Sequence, residues 1–204
     1  MTKSIIINKK KLLLVEGSHE EKFFEKLLQE IKITDIQVAQ VGGQFLFATN
    51  IKNLPRLQNF NIVESIGVVR DADDGFTSVF QSIQESLQQA GLPVPNEPLL
   101  VEGINPKVSI FIMPDNKSEG ALEKLCLISV NSDSIMECVD SYIACIEPKL
   151  DTPHVPTRLD KAKVQVYLAK DPDGDIHMGI AAQKDIWNWN DCAFDDIKEF
   201  IKKI

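Results

Sequence analysis

Leu12-Leu13-Leu14-Val15-Glu16-Gly17-Ser18 is the stretch on which the reading of this sequence turns. Four apolar residues run directly into a carboxylate and a glycine. So short a continuous apolar run, closed by glycine, has the pattern of a strand buried on both faces. Ser18, with Glu21 three residues on, fits a capping box. Phe23, Phe24, Leu27, Leu28 and Ile31 then recur at helical spacing. Glu16 is therefore expected where a buried strand gives way to a helix. Open α/β sheets bind ligands in the crevice at the carboxyl ends of their strands.

The same pattern returns three times. Residues 36–41 read as a second strand ending in Gly42-Gly43, a pair suited to a tight turn where backbone must approach closely. Residues 66–69 form a third, running into Arg70-Asp71-Ala72-Asp73-Asp74-Gly75, and residues 107–113 a fourth, ending in Pro114-Asp115-Asn116. Residues 5–7 are an edge strand or a lead-in to the first. Helical periodicity fills 45–53 and 78–90, and it resumes after Gly120 with Leu122, Leu125 and Leu127. Strands alternating with helices predict an α/β fold with a mostly parallel central sheet flanked by helices. A stretch with three prolines, residues 147–158, separates this α/β domain (1–146) from a helical C-terminal extension (147–204) packed on it. The extension comprises a helix over 161–169, a turn over 171–175 and an amphipathic helix over 194–204.

Composition narrows the function. The chain has 204 residues and a formal charge of −8, which argues against a protein that coats nucleic acid through lysine and arginine alone. An acidic protein still acts on a phosphodiester where divalent metal screens the site. No apolar run approaches the roughly 20 residues that span a bilayer, and the first residues lack a secretory pattern. A cytoplasmic, non-membrane protein is expected. The four cysteines contain no Cys-x-x-Cys pair. Cys126, Cys138 and Cys145 lie among apolar residues and are expected as reduced core thiols.

Four strand ends deliver, in order, Glu16, Gly42-Gly43, Asp71 with Asp73, and Asp115. In a parallel sheet these ends share one edge. Like charges gathered there are costly to bury, and a hard divalent cation relieves that cost. Glu20, in the first helical turn, faces the same rim.

Val15-Glu16-Gly17-x-x-Glu20 after an apolar strand, followed by Val68-Val69-Arg70-Asp71-Ala72-Asp73, resembles the Toprim domain of topoisomerases, bacterial primases and related nucleases. Glu20, the segment Met113-Pro114-Asp115-Asn116 leading to Gly120-Ala121-Leu122-Glu123, and Asp160-Lys161-Ala162-Lys163 bring it nearer to the Toprim part of OLD (overcoming lysogenisation defect) nucleases and to small stand-alone Toprim-like proteins. The resemblance implies metal-dependent phosphodiester cleavage, in phage defence or nucleic-acid processing. Under it, Glu16 is a metal ligand or the general acid/base. Glu20, Asp71, Asp73 and Glu123 hold Mg²⁺ or Mn²⁺, and Lys161 or Lys163 neutralises charge on the phosphate. Gly17, Gly42 and Gly43 let backbone approach the phosphate. DNA or RNA is the implied partner; a partner ATPase and a homo-oligomer stay open. No Gly-x-x-x-x-Gly-Lys-Ser/Thr motif occurs in the chain.

Plainer roles compete at each position. Asp71–Asp74 can be a solvated turn before a helix, Glu20 and Glu123 helix-surface acids, and Asp115 a turn former after Pro114. His19 reads as an exposed loop histidine, and His154 and His177 have no evident partner. Asp171-Pro-Asp173-Gly-Asp175 lacks the glutamate of a calcium loop, with Ala181 in its place, and reads as a turn. Trp187 and Trp189 read as cover for a packing seam. Two other functions remain: an aspartate-nucleophile phosphatase using Asp71, which would place that motif on the first strand, and a non-catalytic module acting beside an ATPase.

Overall fold

The computed structural model describes residues 5–72, 75–150 and 158–204. Its centre is a four-stranded, all-parallel sheet in the order β2-β1-β3-β4, made of β1 (Lys11–Val15), β2 (Ile36–Gln40), β3 (Ser65–Asp71) and β4 (Lys107–Met113). The register pairs Leu14 with Ala39 on one side and Val68 on the other, and Val68 in turn with Ile110. All four strands thus end on one edge. The apolar runs are continuous because both faces are covered. Leu13, Val15, Val69, Phe111 and Met113 face one hydrophobic cluster, while Leu12, Leu14, Ile66, Val68, Ile110 and Ile112 face the other.

Two helices, α2 (Gln44–Asn53) and α3 (Phe76–Ala90), cover the second face through Phe47, Ile51, Val79, Ile83 and Leu87. The first face lies under α1 (Ser18–Glu30), α4 (Leu122–Ser129), α5 (Ile135–Ile146), α6 (Leu159–Leu168), α7 (Met178–Gln183) and α8 (Asp195–Lys203). The C-terminal helices supply much of that layer: Tyr167, Trp187, Phe194 and Phe200 are all fully buried, and Trp189 closes the seam against Phe23 and Phe194. Ile204 reaches the middle of the sheet, where a Cβ on Gly67 would stand 2.2 Å from its Cδ1. Glycine at 67 is what lets the end of the chain lie on β3.

Some expectations change. Residues 5–7 are the lead-in and form no strand: Ile6 O accepts from Gln37 Nε2 and Ile7 O from Asn59 Nδ2, side chains rather than a neighbouring strand, although Ile7 is buried. Of the cysteines only Cys126 is buried; Cys138, Cys145 and Cys192 are exposed. On α5 the inward stripe is Met136, Val139 and Ile143, and positions 138 and 145 lie off it. The proline-containing loop after α3 is also more than a connection. Leu99 N donates to Ile110 O and Glu102 bridges antiparallel to Val108, so the outer edge of β4 is covered. His154 lies outside the described residues, and residues 171–175 form a turn whose Asp171 and Asp173 both pair with Lys184. No helix among the described residues is long and apolar enough to cross a membrane.

Asp133, in the turn before α5, ties the start of α5 to the end of α6. Its carboxylate accepts from Lys170 Nζ at 2.8 Å, from the Ile135 amide at 3.0 Å and from the Tyr167 hydroxyl at 2.8 Å. The Lys170 bond first, then those from Ile135 and Tyr167, lower its pKa from 3.8 to about 2. A carboxylate whose folded pKa is depressed adds stability that is present above its unfolded pKa and is lost as pH falls through the folded one. Urea midpoints should therefore drop between pH 4 and pH 2. Asp133→Asn should be less stable at neutral pH and should show a shallower drop. Parallel curves would remove Asp133 as the cause.

Candidate active site

Glu16 follows the last residue of β1, and the register carries it level with Arg70. Val41 N donates to Val15 O and Gly43 N to Glu16 O, at 2.8 and 2.7 Å, so the glycine turn after β2 is pinned to this point. The helix that follows starts one residue earlier than expected. Its N-cap is Gly17 in extended backbone, and the reciprocating acid is Glu20, whose Oε2 accepts from Gly17 N at 3.0 Å. A Cβ at position 17 would lie 3.0 Å from that same oxygen, so a larger residue there would push the Glu20 carboxylate back by a few tenths of an ångström. Glu20 thus closes the start of its own helix while standing on the rim.

Asp71, the last residue of β3, points to the other side of the sheet from Arg70. It is buried, and its Oδ1 accepts from Leu122 N at 3.2 Å. Ala121, the N-cap of α4, has no side chain able to do this, so the strand-end aspartate caps the helix across 51 residues of sequence. Ala72 N donates to Gly120 O at 2.8 Å and holds the segment in place. Glu123, the next residue along α4, comes within 3.8 Å of Lys161 Nζ. Asp71, Glu123 and Lys161 thereby form a continuous series from β3 through α4 to α6.

The two lysines part company. Lys163 Nζ bonds Asp140 of α5 at 2.7 Å, whereas Lys161 turns to Glu123. Two residues apart on a helix are about 200° apart around it, so only one of them can face the rim. Asp115 is a turn former: its carboxylate accepts from Ser118 N, Ser118 Oγ and Lys117 N. Burial pushes its pKa up, but those bonds and the nearby Lys124 outweigh it and hold the carboxyl below its ordinary value. Asp73 lies outside the described residues. Among the described residues, no group of three or more His, Cys, Asp or Glu is placed to hold a metal ion.

His19 is exposed in the first turn of α1 and stacks on His177, with centroids 4.3 Å apart and planes 8° from parallel. Burial, then the neighbouring His19 and Lys22, lower the pKa of His177, whose Nδ1 accepts from Ile180 N.

The residue that sequence reasoning passed over is Arg70. It is 6% exposed, its guanidinium lies 4.6 Å from the centre of the Phe47 ring, and its Nε stands 3.5 Å from Glu16 Oε2. That contact is an ion pair without hydrogen-bond alignment, since Nε is buried with no hydrogen-bond partner. The signal was present: a charged residue inside an otherwise apolar buried strand rarely stays there without a reason.

Comparison with solved structures shows the fold. The C-terminal region of the OLD protein of Xanthomonas campestris pv. campestris aligns over 97% of this chain and 96% of its own, at 16% identity and a TM-score of 0.51. The corresponding region of the Burkholderia pseudomallei OLD protein covers 97% and 98%, at 15% identity and a TM-score of 0.51. A hypothetical protein of Pyrococcus horikoshii OT3 covers 96% and 93%, at 18% identity and a TM-score of 0.60. No curated protein matches the chain. The sequence itself matches one family model over residues 10–204, and on that match the chain belongs to the family described as "Protein of unknown function (DUF3226)".

Proposed function

We propose that this chain is a Toprim-type domain that cleaves nucleic-acid phosphodiesters with Mg²⁺ or Mn²⁺, in phage defence or nucleic-acid processing. The observation that carries the reading is the set of acids at one sheet edge: Glu16 from β1, Glu20 from α1, Asp71 from β3 and Glu123 from α4, with Lys161 beside the last. The likeness to OLD C-terminal regions supports it at the level of fold. The donor set is all oxygen, the chemistry that suits hard divalent cations. Glu16, Glu20, Asp71, Asp73 and Glu123 would hold the metal, which when bound supplies Lewis-acid stabilisation of the phosphate oxygens. The Glu16 side chain keeps 23% exposure, so its carboxylate can take a proton from solvent water or return one to a leaving oxygen. Lys161 offsets negative charge on the phosphate from the α6 side.

A second reading, a non-catalytic module beside a partner ATPase, is favoured by one observation: no three described acids are gathered closely enough to hold an ion. A thermal melt with and without millimolar Mn²⁺ separates the two. A ligand at a hundred times its Kd stabilises the folded state by about 2.7 kcal/mol, so the wild-type Tm should rise by several degrees. Asp71→Asn keeps an oxygen for the Leu122 amide and should fold, yet lose most of that rise. No rise in wild type, or an equal rise in the variant, overturns the metal site and favours the module.

A further inference from the structure

The two outer edges of the sheet differ. Residues 99–102 cover the edge of β4, whereas β2, at the other end of the strand order, pairs among the described residues with β1 alone. One bond fixes which way its backbone groups point. Val41 N donates to Val15 O, and successive residues of a strand turn their N–H and C=O groups to alternate sides. Gln37 and Ala39 therefore face β1, and Ile36, Val38 and Gln40 face outward. Ile36 agrees, since its carbonyl accepts from Lys9 Nζ at 3.0 Å from outside the sheet. Among the described residues nothing bonds the outward N–H and C=O of Val38 and Gln40. A row of unpaired backbone groups of this kind is a template for another strand.

A groove runs along this edge. Val38 and Gln40 line it, with Ile5 and Ile6 from the segment before β1 and Glu21 from α1. The Val38 side chain packs in the cluster under α1, which leaves its backbone to the groove. Ile6 is 66% exposed beside it. Residues 6–8 meet β2 through the Gln37 side chain, which bonds Ile6 O and Asn8 N, so they stand off from the strand's backbone. The two ends of the edge carry opposite charge. Lys9 sits at the Ile36 end, with two of its three donors on Thr34 O and Ile36 O. Glu21 sits at the Gln40 end, where its carboxylate accepts from Gln40 Nε2 at 3.0 Å.

We propose that the outer edge of β2 is the interface between two copies of this chain, paired antiparallel about a two-fold axis at Val38 so that the two sheets become one. In that register the two Val38 residues exchange a pair of N–H···O bonds, and Gln40 of each copy pairs with Ile36 of the other. The edge is its own complement. Antiparallel pairing brings the Lys9 end of one copy to the Glu21 end of the other, and the axis repeats that match at both ends. A two-fold interface of this kind uses the same patch twice and is the commonest form of oligomer. It also gives the exposed Ile6 of each copy an apolar neighbour. The strands of the two copies run in opposite directions, so their acid rims lie at opposite ends of the joined sheet. The interface does not rest on the proposed chemistry.

Sedimentation velocity of the whole chain, from micromolar to millimolar concentration, should show a shift from one chain mass to two. Amide exchange, followed by NMR on the ¹⁵N-labelled chain, locates the contact. The Val38 and Gln40 amides should exchange about tenfold more slowly or less in the concentrated sample, while Ala39, bonded to β1, stays equally protected in both. Ile6→Asp, at an exposed position, should fold as the wild type does and weaken the dimer by about tenfold or more, through like charges placed on both copies. Gln40→Pro removes an outward N–H that no bond within the chain uses, a place where an edge strand tolerates proline, and should shift the chain toward monomer. If Gln40→Pro does not fold, Ile6→Asp and the wild-type exchange pattern decide the matter. A chain that stays monomeric throughout overturns the interface, as does a dimer whose added protection lies elsewhere. A monomer whose Val38 and Gln40 amides become protected on titration with a synthetic peptide of alternating valine and lysine also overturns it, and assigns the edge to the strand of a different protein.

Discussion

Phe200→Ala should destabilise the sheet together with the helices. Phe200 is fully buried, its ring centroid 5.5 Å from that of Phe111 on β4, and it lies on the same stripe of α8 as Ile197 and Ile201, in one cluster with Ile204 just beyond the helix. Removing a buried phenylalanine ring costs about 3–5 kcal/mol through lost transfer energy and the cavity left behind. That is a large part of the roughly 5–15 kcal/mol by which such domains are stable. Urea denaturation checks it with two probes: far-UV circular dichroism for the whole chain, and fluorescence of Trp187 and Trp189 for the C-terminal layer. Both should move to lower urea by the same amount, because those tryptophans and β4 share one hydrophobic cluster. Fluorescence that shifts while circular dichroism holds would mean that the C-terminal helices are a separable appendage. Lys203→Ala, on the exposed face of the same helix, should change little.

The strands were legible because their chemistry is local. A run such as Val108–Met113 is apolar at every position but Ser109, and such a run leaves few alternatives to a strand covered on both sides; β4 has the limits its sequence implies. The acids at the strand ends were legible for the same reason, since a carboxylate directly after such a run must lie at a sheet edge. What depended on distant partners was not legible. Helix α7 has six residues, too few for periodicity to mark. Residues 99–102 cover β4 through a single bridge and one amide, in a stretch whose prolines signal only a loop. The shift of the α1 cap from Ser18 to Gly17 depends on backbone angles that either residue can adopt. Arg70 was hidden by its company: beside Asp71 and Asp73 it reads as part of an acidic motif. Its burial against Phe47 comes from a helix 23 residues earlier. The C-terminal helices read as an extension packed on the domain because a proline-containing stretch precedes them, but that Tyr167, Trp187, Phe194 and Phe200 join the cluster on one face of the sheet was not legible from their local sequence.

The choice between Lys161 and Lys163 belongs to the same class, and it yields the largest expected effect on activity. Both stand in one short motif, Asp160-Lys161-Ala162-Lys163, and both suit a phosphate-neutralising role. The helix separates them by its geometry, sending Lys161 toward Glu123 on the rim and Lys163 toward Asp140 on α5. Removing a preorganised group that stabilises transition-state charge costs about 10²–10³-fold in kcat. Lys161→Met should therefore slow Mn²⁺-dependent nicking of plasmid DNA or cleavage of RNA by about 10²–10³-fold. Lys163→Met loses a partly exposed ion pair, worth about 0–1 kcal/mol of stability, and should leave the rate near wild type. Glu16→Gln sets the floor, because under the proposed function it removes the carboxylate that handles the proton. If Lys163→Met falls to that floor while Lys161→Met stays active, the substrate approaches from the α5 side. The series from Asp71 through Glu123 to Lys161 would then be a helix cap and an ion pair, with no part in the chemistry.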